Sequence, residues 1–222
     1  MEYILTRSNR KTMGLYIRNG KLEVRAPHTL PKREIENFLA SKADWIRKNL
    51  ATQQSALKKR NEFEVNYGSP VTWRGQEYTV TARPGKHAGF DSEFYMPEGL
   101  TPTQIKATCI KIYRMLAKKY FTERTAYHAA KMGVTPQSIK INSAKTRWGS
   151  CSASKNINYS WRLGLACDSV IDYVIVHELA HLTQMNHSAR FWAIVAAYMP
   201  DYKHRQAMLK AHQQRLATEN WG

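Results

Sequence analysis

Acidic side chains are scarce in this chain: 17 Asp plus Glu stand against 34 Lys plus Arg over 222 residues, a formal net charge of +17. Such an excess excludes a preference for basic partners and attracts polyanions, whether nucleic acid, acidic protein or polyphosphate. Cysteine is scarce too. Cys109, Cys151 and Cys167 cannot all pair and show no CxxC spacing, which excludes a disulfide scaffold and a Cys-type zinc knuckle and points to free thiols in a reducing compartment. No apolar run approaches the roughly 18 residues a membrane helix needs, so no membrane association is expected. The first residues, Met1 to Arg7, lack a basic stretch followed by an apolar one, and a cytoplasmic location is therefore expected. Hydrophobic residues, by contrast, are plentiful at 43%, with 11% aromatic, which excludes a disordered tail.

Residues 3–26 alternate as strands do, and Asn19-Gly20 is a hairpin signal because both residues tolerate positive φ. From Pro31 the period becomes helical, and Ile35, Phe38, Leu39, Trp45, Ile46 and Leu50 predict a single apolar stripe on one helix. Strand-like composition returns over 63–96, beginning at Phe63, Val65 and Tyr67, with turns at Arg74-Gly75 and Pro84-Gly85. One long helix is expected over 101–132, opened by Thr101-Pro102 and closed by Gly133. Two strands, Ile139–Ser150 and Ile157–Leu165, are expected around a polar turn, then helices near 168–185, 188–199 and 202–217. Residues 1–60 hold 14 basic and 5 acidic side chains, so the excess charge is concentrated there, on a face that serves as a polyanion site or simply as a solvated helix surface.

The segment His177-Glu178-Leu179-Ala180-His181 carries the chemistry. Two histidines four apart project from one helix face and can share one zinc ion, while Glu178 lies beside the metal, placed to take a proton from water. Asp168-Ser169 is a good N-cap pair for that helix. A catalytic zinc takes three protein ligands and leaves a position open. His187 is the expected third ligand at the ten-residue offset from His177, reached through a turn at Gln184-Met185-Asn186 in which Asn186 suits a left-handed conformation. Asp201, His204 and Glu219 are the competing third ligands. The thiol of Cys151 is expected to be inert, and Met199-Pro200 to be a plain helix end.

The run Val176–Leu182 with Asn186-His187-Ser188 and Phe191-Trp192, together with Lys145–Cys151, Trp161-Arg162-Leu163 and Ile171–Val174, resembles the YgjP-like family of metal-dependent hydrolases, relatives of the SprT-like zinc proteases. The resemblance covers most of the chain and is densest over 105–209. It implies zinc on His177, His181 and His187 with Glu178 as acid/base. Arg147, Trp148 and Ser150 are the candidate substrate-binding residues: Arg147 suits oxyanion or phosphate charge, and a strand edge here suits an extended peptide. A packing role for Arg147 with Trp148 stands beside that reading.

The expected fold is α+β: a β-rich N-terminal region with one helix over 1–98, then a zincin-like helical catalytic domain with a small antiparallel sheet over 99–222. The long helix is expected to pack on the zinc helix. Three functions compete. One is a zinc metallopeptidase, its cofactor one Zn2+ or another divalent transition metal and its substrate a polypeptide. The second is the metal-dependent pyrophosphatase acting on nucleoside triphosphates, UTP above all, that some names in the family imply. Against it, the chain has no Gly-rich phosphate loop and no carboxylate cluster for magnesium. The third is a polyanion-binding protein, of nucleic acid for example, whose zinc is structural.

Overall fold

The computed structural model describes residues 2–222 as a mixed α/β chain with six α-helices and three small sheets. It divides into two compact units, Met1–Phe63 with Arg215–Asn220 and Gly222, and Glu64–Gln214 with Trp221.

In the first unit, strands β1 (Ile4–Ser8), β2 (Gly14–Arg18) and β3 (Lys21–Pro27) lie in the order β1-β3-β2. The β2–β3 hairpin turns at Asn19 and Gly20, whose φ angles of 50° and 71° are the positive values such a turn demands. β1 pairs parallel to β3. Alternate residues Leu22, Val24 and Ala26 of β3 are buried against Ile35 and Leu39 of α1 (Lys32–Ser41) and Ile46 of α2 (Ala43–Glu62). The single helix expected here is two, broken at Lys42, where φ is −110° and ψ 12°. The break rotates the apolar stripe, and Trp45 is left 47% exposed.

In the second unit, β4 (Pro70–Trp73), β5 (Gln76–Arg83), β6 (Gly89–Phe90) and β7 (Phe94–Pro97) form a sheet in the order β4-β5-β7-β6. Residues 63–67 are not a strand; the Tyr67 hydroxyl instead donates to the Pro97 carbonyl and accepts from the Leu100 amide. The sheet over 70–97 packs with α3 and the 3-10 helix below, and belongs with them to the second unit.

Helix α3 (Pro102–Met132) matches its sequence signals. Thr101 and Gln104 cap each other reciprocally, and Gly133 ends the helix at φ 65°. A second small sheet follows, ordered β8-β10-β9, with β8 (Ser138–Asn142) parallel and β9 (Gly149–Cys151) antiparallel to β10 (Asn156–Ser160). It is therefore mixed, not antiparallel throughout. The long strand expected over 139–150 is interrupted because Asn142 Oδ1 accepts from the Ala144 amide and turns the chain out of the ladder. Strand β10 ends at Ser160, where a 3-10 helix (Trp161–Leu165) buries Trp161 in a stack on Tyr113.

Helix α4 (Asp168–Ala180) is the most buried of the α-helices, and α5 (Ala189–Tyr198) and α6 (Tyr202–Leu216) follow it. As expected, α3 packs along α4. The ties are Arg124 to Asp172 through two bonds of 2.8 and 2.6 Å, with His128 at 3.3 Å, and Tyr120 to Asp168 at 2.8 Å. The N-cap of α4 is Cys167, without a side-chain cap bond. Asp168 is occupied by Arg74, at 2.7 and 2.5 Å, and is unavailable as the cap. Among the described residues no helix is long and apolar enough to cross a membrane.

Candidate metal centre

Helix α4 brings His177 and His181 to one face near its C-terminal end, their ring centroids 5.0 Å apart. The helix stops at Ala180, short of the predicted 185. It unwinds through bonds from the Leu182 amide to Leu179 O and from the Thr183 and Gln184 amides to Ala180 O. This tight turn carries the chain back so that His187 returns to the pair. Asn186 does not supply a left-handed residue; among the described non-glycine residues positive φ occurs at Asn19, Arg74 and Lys155. Its side chain accepts from Gln184 Nε2 at 2.7 Å and braces the turn instead.

One ring nitrogen from each of His177, His181 and His187 lies within 4.8 Å of the others. Among the described residues this is the one cluster of three His, Cys, Asp or Glu side chains close enough to share an ion. Asp201 is turned to Arg205 at 2.9 Å, and neither it nor His204 or Glu219 joins the trio. Phe191, wholly buried on α5, lies 4.9, 4.5 and 4.7 Å from the rings of His177, His181 and His187 and supports all three.

The donor set fits a divalent cation. The Nε2 atoms of His177 and His187 face each other at 3.0 Å, close to the roughly 3.3 Å separating two ligand nitrogens on a tetrahedral zinc. His181 Nδ1 lies 3.1 Å from the Gln184 carbonyl, which orients the ring and leaves Nε2 as the free donor. Burial, then the neighbouring His181 and His187, push His177 down to about 3, so it stays neutral with its lone pair available. Burial lowers His181 as well. His187 is exposed, which leaves one side of the trio open.

Glu178 lies against the backbone of β9. It is only 5% exposed, and its Oε2 has no hydrogen-bond partner. Burial pushes the carboxyl up to about 8, with Arg147 acting in opposition. Gly149 explains how the strand comes so near: a β-carbon there would stand 2.5 Å from Glu178 Oε1. Sequence reasoning named Gly149 and Phe191 only within the stretches that carry the family resemblance and gave neither a role. The signal for Gly149 was a glycine beginning an edge strand, a mark of close approach to another group.

The three candidate substrate-contact residues are placed differently from one another. Arg147 is exposed and bears electrostatically on Glu178. Trp148 leans on His212, ring centroids 5.2 Å apart, and its carbonyl accepts from the Ser160 amide. Ser150 sits in β9 opposite Asn158. Cys151 donates to the Ser152 carbonyl at 3.6 Å and is outside the trio, and Met199 caps α5 as a plain helix end.

A histidine pair at the end of a helix and a third histidine returning on a turn make a candidate metal centre, and a buried carboxylate follows the first in sequence. The sequence profile of the YgjP-like metallopeptidase domain matches residues 11–212, and the chain belongs to that family. Membership implies a divalent metal, typically zinc, and a polypeptide substrate. No curated protein matches the chain. Among solved structures it is similar to the metallopeptidase zymogen abylysin of Pyrococcus abyssi, at 19% identity over 45% of this chain and 97% of that one, with a TM-score of 0.39. It is also similar to the metallopeptidase zymogen jannalysin of Methanocaldococcus jannaschii, at 19% identity over 43% and 96%, with a TM-score of 0.38.

Proposed function

We propose that the chain is a zinc-dependent peptidase in which His177, His181 and His187 hold the ion and Glu178 is the general base. The observation that carries this reading is the convergence of the three ring nitrogens within 4.8 Å, with Glu178, the residue after His177, buried and its Oε2 without a partner. His177, His181 and His187 would hold a zinc ion, which would supply Lewis acidity and a water acidified towards a pKa of about 7.

Glu178 takes a proton from the attacking water as the new C–O bond forms, and delivers it to the amide nitrogen as the C–N bond breaks. The products are a carboxylic acid and an amine, and Glu178 ends as it began. Burial beneath β9 keeps bulk water from the carboxylate and fixes its direction. Arg147 is assigned to the negative charge that develops on the carbonyl oxygen, since its guanidinium is exposed and already acts on Glu178. The edge strand β9, with Ser150 on it, is assigned to the extended substrate, which adds as a further strand through main-chain bonds; Trp148 borders that strand.

The test presents zinc-loaded protein and a Glu178→Gln variant with unfolded polypeptides and with nucleoside triphosphates. Peptide cleavage that disappears in Glu178→Gln, at equal zinc content, supports the proposal. Diphosphate release without peptide cleavage overturns it in favour of phosphoanhydride hydrolysis. Zinc loss in Glu178→Gln as deep as in His181→Ala would make Glu178 a ligand, not a base.

A further inference from the structure

The imidazole trio is bordered by aromatic rings that none of these steps uses. Trp192 on α5 lies 5.9 Å from His177 and 5.8 Å from His187 between ring centroids. Tyr202, at the start of α6, stacks on Trp192 at 5.3 Å with an interplanar angle of 18°. Tyr173 sits one turn before His177 on the same face of α4, edge-on to that ring at 6.0 Å.

Burial differs along this wall. Tyr173 is buried, whereas Trp192 and Tyr202 are half-buried. The wall thus has a closed base and a rim that meets solvent. Support of the imidazoles does not explain the rim, because the wholly buried Phe191 already contacts all three rings. Nor is the rim loosely held. Arg205 donates to the Ser169 carbonyl at 3.0 Å and to Asp201 at 2.9 Å, which pins the first turn of α6 to the start of α4. A fixed, partly exposed pair of rings beside a hydrolytic centre offers an apolar surface with edges suited to another ring.

We propose that Trp192 and Tyr202, with Tyr173 at their base, form a subsite for an apolar, above all aromatic, side chain next to the scissile bond. This assignment rests on the peptidase reading and names the substrate class that the site selects. A phenylalanine at that position removes its ring from water against the indole and phenol faces, while an aspartate must give up hydration there without a partner.

The test uses internally quenched peptides identical except for Phe, Leu, Ala or Asp on either side of the cleaved bond. Zinc-loaded wild type is compared with Trp192→Ala, Tyr202→Ala and, as a control on the same helix, Tyr198→Ala, whose ring is exposed elsewhere. On one side of the bond kcat/KM for Phe should exceed that for Ala by at least about tenfold, a scale that apolar pockets reach. The ratio should fall to within about twofold of unity in Trp192→Ala and Tyr202→Ala, and hold in Tyr198→Ala. A ratio between peptides is insensitive to partial zinc loss, so altered metal affinity in Trp192→Ala does not mimic the result. Fluorescence anisotropy of the same labelled peptides on zinc-loaded Glu178→Gln gives the order of binding without turnover. Cleavage with no preference for Phe, or a preference that survives both substitutions, overturns the subsite and leaves the peptidase reading intact. If wild type cleaves no peptide, the peptidase reading falls, and the subsite falls with it unless the binding series shows the same Phe preference and its loss in both variants.

Discussion

A β-carbon on Gly149 would fall 2.5 Å from Glu178 Oε1 and 2.7 Å from its Cδ and Cγ, so the backbone of β9 lies directly on the carboxylate of α4. Real atoms do not approach so closely, and an alanine must push either the strand or the glutamate aside. Gly149→Ala is therefore expected to lower peptide kcat/KM by about 100-fold or more while zinc content stays at the wild-type level, since no ligand touches residue 149. Steady-state kinetics alongside metal analysis checks both halves of that statement.

Metal removal should destabilise the fold as well as silence it. An ion bound only by the native state adds about 2.7 kcal/mol at 100 times its Kd, which is about 5–10 °C in Tm for a chain of this size. Chelation should lower Tm by that amount and zinc should restore it. His181→Ala should show the low Tm with or without added zinc. Differential scanning calorimetry provides the comparison.

The α3–α4 junction sets the acid limit. Burial alone would raise the Asp172 carboxyl, but hydrogen bonds from His128 and Arg124 outweigh it and hold the group below the ordinary value. A depressed carboxyl stabilises the native state above its unfolded pKa of about 4, and that stabilisation is lost as pH falls through the lower folded value. Asp168, held down first by Arg74, behaves in the same direction. The Tm difference between wild type and Asp172→Asn should hold steady above about pH 5 and shrink below about pH 4.

Breaking the same junction at neutral pH has a calculable cost. Asp172 and Arg124 are 14% and 28% exposed, so removing one partner strands a half-desolvated charge. Arg124→Ala is expected to cost about 2–3 kcal/mol, less than the roughly 3–5 kcal/mol of a fully buried pair. Urea titration measures it.

Thr101→Ala offers a local contrast. It removes the half of the reciprocal cap in which Thr101 Oγ1 accepts from the Gln104 amide, while the backbone amide of residue 101 can still donate to Gln104 Oε1. The expected loss is about 1 kcal/mol with no change in zinc content or peptide cleavage. The same urea titration, with an activity control, checks it.

What the sequence made legible followed the strength of local signals. The Thr101-to-Gly133 helix was readable because a capping box, a proline and a terminal glycine agree along one stretch. The His177–His181 pair was readable because helical spacing alone brings the rings together. His187 was readable only as an offset; the turn that returns it uses backbone bonds after Ala180 that any residue type could make. The break at Lys42 carries no proline or glycine, so the periodicity of Ile35, Leu39 and Ile46 ran across it unmarked. The parallel pairing of β8 with β10 and the seat of Glu178 beneath Gly149 are long-range facts without a periodic trace. Asp168 misled for a related reason: its cap chemistry was sound, but Arg74, distant in sequence, claimed the carboxylate.

The three imidazoles are not anchored alike. Two ride on a stiff, deeply packed helix, while the third comes from an exposed stretch beyond its end. On the proposed reading, the pair on α4 would form the standing part of an ion seat and residue 187 its movable side, with the Gln184–Asn186 bond bracing the turn that carries it.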